Sequence, residues 1–320
     1  MLTAVYAGSP AVSAKVLDFL LQNQGNDYRI AGVLTNPPSA QGRHKAQVPT
    51  EVAALAAQWN ETAAQPLAIM QPEHLYAKER ELISALQPDI LICFAYGHIF
   101  GPKFLSLFPL GGINLHPSLL PKHRGATPVQ AAILAGDTET GVTVQKLALE
   151  ADTGDILRQL KIPLDGTETA ESLLDKSAES GAQLLLEVLQ LCALNRELPP
   201  AAPQSGVPSC CSLIAKEDGR IYWNMPTAQI YARLRAFTPW PGSFTTAGGS
   251  VLKILEAAPA EAAQGTAGTV LHCDKQHGII VKTGDGALRL LRLQWQGKNA
   301  VAWKDFLNGA RNFAGTILGN

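Results

Sequence analysis

The stretch Gly112-Ile113-Asn114-Leu115-His116-Pro117-Ser118-Leu119-Leu120-Pro121 decides the fold of this 320-residue chain. An apolar run ends there in an amide, an imidazole and a hydroxyl. A second apolar run, Val142–Leu149, is followed by Asp152-Thr153-Gly154-Asp155. Polar side chains at strand ends are typical of the active crevice of an open α/β sheet. We therefore expect Asn114, His116 and Asp152 to meet at such an edge, where they can bind an oxyanion and move a proton.

Short apolar runs alternate with helical patterns on both sides of this stretch. The alternation predicts an α/β domain over residues 1–195, with a Rossmann-like, doubly wound and mostly parallel sheet. The proline-rich segment 196–208 cannot continue a helix, and it predicts a linker. Residues 209–320 contain short alternating runs separated by glycine turns and hold four of the five tryptophans. This second pattern predicts a small β-barrel, in which the alanine-rich residues 256–268 form an exposed loop.

Several familiar site motifs are missing from the sequence. The turn Gly8-Ser9-Pro10 lacks the glycines of a dinucleotide fingerprint, no phosphate loop is found, and Ser118 is not in a GxSxG elbow. His116 and His123 have weak spacing for a metal site, so we expect no metal. Unpaired cysteine spacing, the lack of an export signal and the lack of a long apolar run predict a cytoplasmic protein without a membrane span. Nothing in the sequence demands assembly, so a monomer is expected.

Charge is distributed unevenly along the chain, whose formal net charge is −1. Residues 1–206 carry 14 basic and 20 acidic side chains, whereas residues 207–320 carry 12 basic and 7 acidic ones. A basic domain joined to an acidic one indicates contact with a polyanion. An ordinary fluctuation in surface charge is the alternative.

With these residues the chain resembles a known family. Asn114-x-His116-Pro-Ser-Leu-Leu-Pro followed by Asp152-Thr-Gly is similar to the signature of formyltransferases that use 10-formyltetrahydrofolate. The resemblance extends over nearly the whole chain. Further segments that carry it are Ala7–Pro10, Ala95–Gly97, His123–Gln130 and Thr140–Thr143. In the second half, Lys216–Trp223 and Leu234–Gly242 resemble segments of methionyl-tRNA formyltransferases.

The resemblance implies a role for each matching residue. Asn114, His116 and Asp152 match the catalytic trio of the family. It implies the formyltransferase fold with an OB-like C-terminal barrel. Pro117 departs from the glycine of many members, but the trio itself is intact. The residues that match positions around the folate are Ser118, Leu119, Leu120, Pro121, Tyr96 and Gly97.

The catalytic stretch leaves the acceptor open, because family members formylate methionyl-tRNA, a nucleotide-sugar amine or glycinamide ribonucleotide. The loop Asn36–Pro49 resembles the insertion of the methionyl-tRNA enzymes. Its Arg43 and Lys45 are expected to meet the end of an acceptor stem. Candidates for tRNA contact in the basic half are Lys216, Arg235 and Lys298.

We therefore expect formyl transfer from 10-formyltetrahydrofolate, a co-substrate, to initiator methionyl-tRNA, which yields formylmethionyl-tRNA for translation initiation. The alternatives are a nucleotide-sugar N-formyltransferase and a silent tRNA- or folate-binding module. In the expected reaction the methionyl amine attacks the formyl carbon, and Asn114 with protonated His116 binds the oxyanion. Asp152 is expected to raise the pKa of His116 and to help remove the amine proton.

Overall fold

The computed structural model describes residues 1–41, 46–261, 264–310 and 312–319. The chain divides into two compact units. The first contains residues 1–128, 139–163 and 174–212, and the second contains residues 129–138, 164–173 and 213–320. No helix in the described part of the chain is long and apolar enough to cross a membrane.

The first 195 residues follow the alternation of strands and helices that the sequence predicts. In chain order the elements are β1 (Leu2–Ala7), α1 (Ala11–Gln22), β2 (Tyr28–Leu34), β3 (Ser39–Gln41), β4 (Ala46–Val48), α2 (Glu51–Asn60), β5 (Ala68–Met70), α3 (Ala77–Ala85), β6 (Ile90–Cys93), α4 (Pro102–Leu105), β7 (Gly112–His116), β8 (Arg124–Gly125), α5 (Pro128–Ala135), β9 (Glu139–Lys146), β10 (Ile156–Pro163) and α6 (Ala170–Asn195).

Within the described residues of the first unit, seven strands form one sheet in the order β10-β9-β7-β6-β1-β2-β5. The pairs from β7 through β6, β1 and β2 to β5 are parallel, whereas β9 pairs antiparallel with both β7 and β10. The mostly parallel α/β sheet is therefore confirmed, with an antiparallel edge. Its central strands β1 and β6 are almost entirely buried, as expected for strands covered on both faces.

Local sequence explains how the helices are placed around this sheet. Thr50 caps α2, because its side chain accepts a hydrogen bond from the backbone amide of Ala53 at 3.2 Å. Gly181 lies in the middle of α6, where a Cβ atom would overlap the side chain of Leu115 on β7. The glycine thus lets the helix pack closely against the strand that carries Asn114 and His116, on the face opposite to those two side chains.

Two segments expected to be loops contain strands instead. Within the Asn36–Pro49 segment, β3 and β4 pair antiparallel, from Ser39 opposite Val48 to Gln41 opposite Ala46. Their few small and polar residues carry no alternation that could have indicated a strand. In the second half, an exposed loop was expected over residues 256–268, but a strand that begins at Ser250 continues to Ala260.

The proline-rich segment 196–208 belongs to the first unit. Ala202 exchanges two backbone hydrogen bonds with Ile156 on β10, at 2.8 and 2.9 Å. The following strand, β11 (Cys210–Cys211), pairs parallel with β8. Prolines prevent a helix here but allow an extended chain with isolated bridges. The segment therefore runs along the first unit, and the boundary between the units falls after Ser212.

The second unit is built mainly from antiparallel strands. Its elements are β12 (Ser243–Ala247), β13 (Ser250–Ala260), β14 (Val270–Asp274), β15 (Gly278–Lys282), β16 (Ala287–Trp295), β17 (Val301–Ala302), α7 (Thr227–Ala236) and α8 (Trp303–Phe306). The strand order is β12-β13-β16-β15-β14, and β17 also pairs with β16. Its core includes Trp223, Leu252, Ile279 and Leu290, which are at most 4% exposed. Among the described residues β12 and β14 are the edge strands of this sheet, so these strand pairings do not close a barrel.

Candidate active site

Strand β7 carries Asn114 and His116 on one face, because residues two apart in a strand point the same way. Asn114 lies directly opposite Gln145 on β9, and His116 lies opposite Thr143. His116 is only 4% exposed, whereas Asn114 is half-buried. The two pairs give this part of the sheet a polar face inside an otherwise apolar core.

Asp152 reaches this face by a different route from the one expected. Strand β9 is antiparallel to β7, so its carboxyl end at Lys146 lies opposite Ile113, away from the carboxyl end of β7. The chain after β9 turns back, and this return brings the Asp152 carboxylate to the middle of the strands. The expectation that both runs end at the same edge of the sheet is wrong, although the three side chains do come together.

The Asp152 carboxylate collects hydrogen-bond donors from three elements. Oδ2 accepts the backbone amide of Gly125 at 2.8 Å, and Oδ1 accepts Nε2 of Gln145 at 3.0 Å. Nδ2 of Asn114 lies at 3.5 Å from Oδ1, the longest of these contacts. Nδ1 of His116 is 3.4 Å from the same oxygen. The carboxylate is thus the centre of the trio, and its side chain is 13% exposed.

The orientation of the His116 ring fixes the positions of its protons. Nε2 lies 2.9 Å from the carbonyl oxygen of His123. Because a carbonyl oxygen can only accept, Nε2 carries a proton and donates it there. In the neutral ring Nδ1 is then a lone pair that faces Asp152. Both ring nitrogens therefore face protein atoms.

Burial lowers the pKa of the His116 imidazole from its ordinary value, while the Asp152 carboxylate and the His123 carbonyl oxygen act in the opposite direction. Asp152 acts to raise the pKa of His116, as expected, but desolvation outweighs it, so the net shift is downward and the imidazolium is not the favoured form. A neutral His116 beside a carboxylate is able to accept a proton at Nδ1.

The elbow after His116 is held by its own hydrogen bonds. The Ser118 hydroxyl is fully buried and donates to the carbonyl oxygen of Lys122 at 2.6 Å. Thr143 Oγ1 donates to the Ser118 carbonyl at 2.7 Å and lies 3.2 Å from the amide of Leu120. The Leu120–Pro121 peptide bond is cis. Leu119 is half-buried and packs by Gly141. Ser118, Leu119, Leu120 and Pro121 thus belong to a hydrogen-bonded turn directly after His116.

A cavity of about 380 Å³ opens at the carboxyl ends of β1, β2 and β6. Tyr96 and Gly97 line it, together with Ser9, Asn36 and Thr50. Asn36 is tied to the Tyr96 carbonyl oxygen at 3.4 Å and to Nε2 of His98 at 2.9 Å. Gly97 has φ of 86° and open space around its α-carbon, so a ligand can approach its backbone. Strand β6 is the parallel neighbour of β7, with Cys93 opposite Asn114, so the segment with Tyr96 and Gly97 follows the strand next to the one that carries Asn114 and His116.

Three of the five cations expected to contact tRNA lie among the described residues. Arg43 and Lys45 lie outside the described residues. Lys216 and Lys298 are exposed on the second unit. Arg235 is half-buried, donates to the carbonyl oxygen of Glu168 at 3.1 Å and stacks over Tyr231. Its guanidinium is therefore partly engaged within its own unit.

The described residues contain one group of side chains that could hold a metal ion, and it is remote in sequence from the trio. It consists of His272, Asp274 and His277 on the β14–β15 hairpin, where Nδ1 of His277 is hydrogen-bonded to Asp274 at 3.0 Å.

Near Asp152, burial raises the pKa of the Cys93 thiol to about 12 and also raises that of Cys211. These two thiols are neutral near pH 7, and neither is an activated nucleophile.

Three supporting residues were missed from the sequence. Gln145 is a polar residue at the end of the apolar run of β9, and it is 2% exposed. That interruption was a readable signal. Gly125 contributes only its backbone amide, and Gln204 lies in the proline-rich segment, so neither had a signal in composition or spacing.

The comparisons with known proteins agree with this geometry. Residues 2–189 match the family model described as formyl transferase, and residues 213–311 match the formyl transferase C-terminal domain. A methionyl-tRNA formyltransferase of Treponema denticola is 43% identical over 318 residues, which covers 97% of each chain. The chain belongs to the methionyl-tRNA formyltransferase family.

Solved structures show the same fold at lower identity. An N-formyltransferase from Helicobacter canadensis, in complex with folinic acid and dTDP-3-aminofucose, has a TM-score of 0.64 at 18% identity. The match covers 91% of this chain and 99% of that one. HypX from Aquifex aeolicus, in complex with tetrahydrofolic acid, has a TM-score of 0.62 at 15% identity, and the match covers 98% of this chain and 48% of that one. The fold of this chain is thus shared with both of these proteins.

Proposed function

We propose that this protein transfers the formyl group of 10-formyltetrahydrofolate to the α-amino group of initiator methionyl-tRNA. The observation that carries the proposal is that Nδ2 of Asn114 and Nδ1 of His116 both lie within 3.5 Å of Oδ1 of Asp152. The name of the full-length relative from Treponema denticola supports the choice of acceptor. The proposal places the reaction in the cytoplasm, where initiator tRNA is charged, and takes the protein as a monomer.

Asn114 is the donor proposed to meet the oxyanion. Its half-exposed amide makes only a long contact to Asp152 at 3.5 Å, so the group is available to a stronger acceptor. A tetrahedral intermediate with a full negative charge on oxygen is such an acceptor. Loss of one oxyanion donor costs about 100-fold or more in rate.

Asp152 and His116 are proposed to handle the proton. As the amine forms its bond to the formyl carbon, Asp152 accepts the amine proton and passes it to Nδ1 of His116, 3.4 Å away. The resulting imidazolium is stabilised by the carboxylate at Nδ1 and by the His123 carbonyl oxygen at Nε2. The proton returns to N10 of tetrahydrofolate when the bond between N10 and the formyl carbon breaks. These steps assign His116 to hold a proton, and oxyanion binding to Asn114.

The folate donor is proposed to lie across the elbow Ser118–Pro121 and the cavity lined by Tyr96 and Gly97. The tRNA is proposed to contact Arg43 and Lys45 with its acceptor end, and Lys216, Arg235 and Lys298 with its backbone. The exposed ammonium groups of Lys216 and Lys298 suit phosphates, because they bind charge without reading sequence.

The test is to incubate the protein with 10-formyltetrahydrofolate and, separately, methionyl initiator tRNA, deacylated tRNA and a dTDP-amino sugar. Formylated product is expected only with methionyl-tRNA, in proportion to tetrahydrofolate release. Deacylated tRNA is the matched control, since it keeps the polyanion and lacks the amine. Formylation of the amino sugar alone contradicts the proposal, and so does binding of methionyl-tRNA without product.

A further inference from the structure

Gln204 lies between the two ranges that match the family models, residues 2–189 and 213–311, yet its side chain contacts the catalytic loop. Its Nε2 donates to the carbonyl oxygens of Asp152 at 2.9 Å and Gly154 at 2.8 Å. Its Oε1 accepts two guanidinium hydrogen bonds from Arg124, at 3.1 Å from Nε and 2.6 Å from Nη2. Both hydrogens and both lone pairs of this amide are thus occupied.

The contacts of Gln204 restrain Asp152 in two ways. The first is direct, because Asp152 has φ of 57°, a left-handed conformation that a non-glycine residue keeps only when its surroundings impose it. The second runs through Arg124, whose neighbour Gly125 donates its amide to Oδ2 of Asp152 at 2.8 Å. Gln204 therefore holds the backbone of the loop and the strand that binds the carboxylate.

The neighbours of Gln204 in the chain support the same strand. Ser209 Oγ accepts the amide of His123 at 2.8 Å, and the Ser209 carbonyl oxygen accepts the amide of Arg124 at 2.8 Å. His123 in turn provides the carbonyl oxygen that holds Nε2 of His116. The segment 202–212 thus anchors residues that contact both Asp152 and His116.

From these contacts we infer that Gln204 is a positioning residue for catalysis, which holds Asp152 in register with His116. Only an amide fits the position. A glutamate would place a carboxylate oxygen against two carbonyl oxygens, and a leucine would leave Arg124 and both carbonyl groups without this partner. The kinetic part of this inference rests on the proposed formyl transfer.

The experiment compares Gln204→Leu and Gln204→Glu with Thr127→Val as the matched control. Thr127 donates its hydroxyl to the carbonyl oxygen of Ser212 at 2.8 Å, so its loss weakens the same segment without touching the Asp152 loop. A displaced catalytic group lowers kcat by about 10- to 100-fold in both Gln204 variants, with KM for both substrates unchanged. The Thr127 variant should keep wild-type kcat.

A second readout does not need activity. The pKa of His116, followed by NMR in the free protein, should fall in Gln204→Leu, because the carboxylate that raises it moves away, whereas Gln204→Glu adds a negative charge of its own and is not used for this readout. The titratable groups that face the pair are His123, Cys93 and Cys211. Because the two thiols are neutral near pH 7, His123 is the remaining group to monitor, and its resonance is followed in the same samples.

The two readouts separate the inference from the proposed function. If the wild-type protein fails to formylate methionyl-tRNA but the pKa of His116 falls in Gln204→Leu, the proposed function is wrong and the positioning role stands. If both Gln204 variants match Thr127→Val in kcat, and Gln204→Leu also matches it in the pKa of His116, Gln204 is only a structural contact and the inference is overturned.

Discussion

The substitution Asp152→Asn tests the centre of the site most sharply. The carboxylate accepts the Gly125 amide on Oδ2 and the amides of Gln145 and Asn114 on Oδ1. An asparagine keeps one acceptor and places an NH₂ group at the other position. In either orientation, that NH₂ group faces at least one donor, so a hydrogen bond is lost and a donor is left without a partner.

Two magnitudes follow from this geometry. A buried donor without a partner costs about 1–3 kcal/mol in the free energy of unfolding. For a unit of this size, each kcal/mol lowers Tm by about 2–4 °C, so Tm should fall by about 2–12 °C. Loss of the group that takes the amine proton lowers kcat by about 100- to 10,000-fold.

The assay is single-turnover formylation of methionyl-tRNA at saturating 10-formyltetrahydrofolate, with Tm measured on the same samples. Asp155→Asn is the matched control, because Asp155 lies three residues away in the same loop. Its carboxylate makes only a half-exposed contact to Lys146 at 4.0 Å, which is worth at most about 1 kcal/mol. A folded Asp152→Asn protein with a rate close to that of Asp155→Asn refutes the reasoning.

Three further predictions concern stability and tRNA contact. Burial lowers the pKa of His116, so below about pH 6.5 the unfolded chain binds a proton that the folded chain does not. The free energy of unfolding therefore falls as the pH is lowered, by up to about 1.4 kcal/mol per pH unit. The free energy of unfolding, measured by denaturation at pH values from about 7.5 to about 5, should depend less steeply on pH in His116→Gln than in wild type, and equal slopes contradict this prediction. A Cβ on Gly154 would overlap the carbonyl oxygen of Lys146, so Gly154→Ala should lower the free energy of unfolding by about 1–3 kcal/mol in urea titrations, and an unchanged midpoint refutes the overlap. Lys216→Ala and Lys298→Ala should each reduce the slope of log affinity for tRNA against log salt by about 0.7–1, and a lysine whose removal leaves the slope unchanged makes no phosphate contact.

The sequence predicted the fold where its pattern was strong. Apolar runs that alternate with helical segments indicated the mostly parallel sheet, and the polar interruption at Asn114 and His116 marked the strand that contacts Asp152. The short strands β3 and β4 could not be predicted, because three residues each of small and polar type carry no periodic signal. Their pairing depends on the hairpin as a whole.

The sequence predicted that Asn114, His116 and Asp152 meet, but it did not predict how they are arranged. The direction of β9 depends on sheet pairing, which hydrophobic patterning does not determine, so the return of Asp152 from the far edge was missed. The protonation preference of His116 depends on burial at 4% exposure, which outweighs the nearby carboxylate. Gln204 lies 52 residues from Asp152 in a segment that composition alone assigns to a linker.

The proposed oxyanion contact of Asn114 is the central claim about the chemistry. The most direct measurement is the single-turnover rate of formylmethionyl-tRNA formation by Asn114→Ala, beside wild type and Asn23→Ala. Asn23 is an exposed asparagine at the end of α1 and serves as the matched control. We expect wild-type and Asn23→Ala proteins to form the product at the same rate, and Asn114→Ala to be slower by about 100-fold or more with an unchanged Tm. A rate for folded Asn114→Ala within about threefold of wild type, far below the cost of a lost oxyanion donor, contradicts the account.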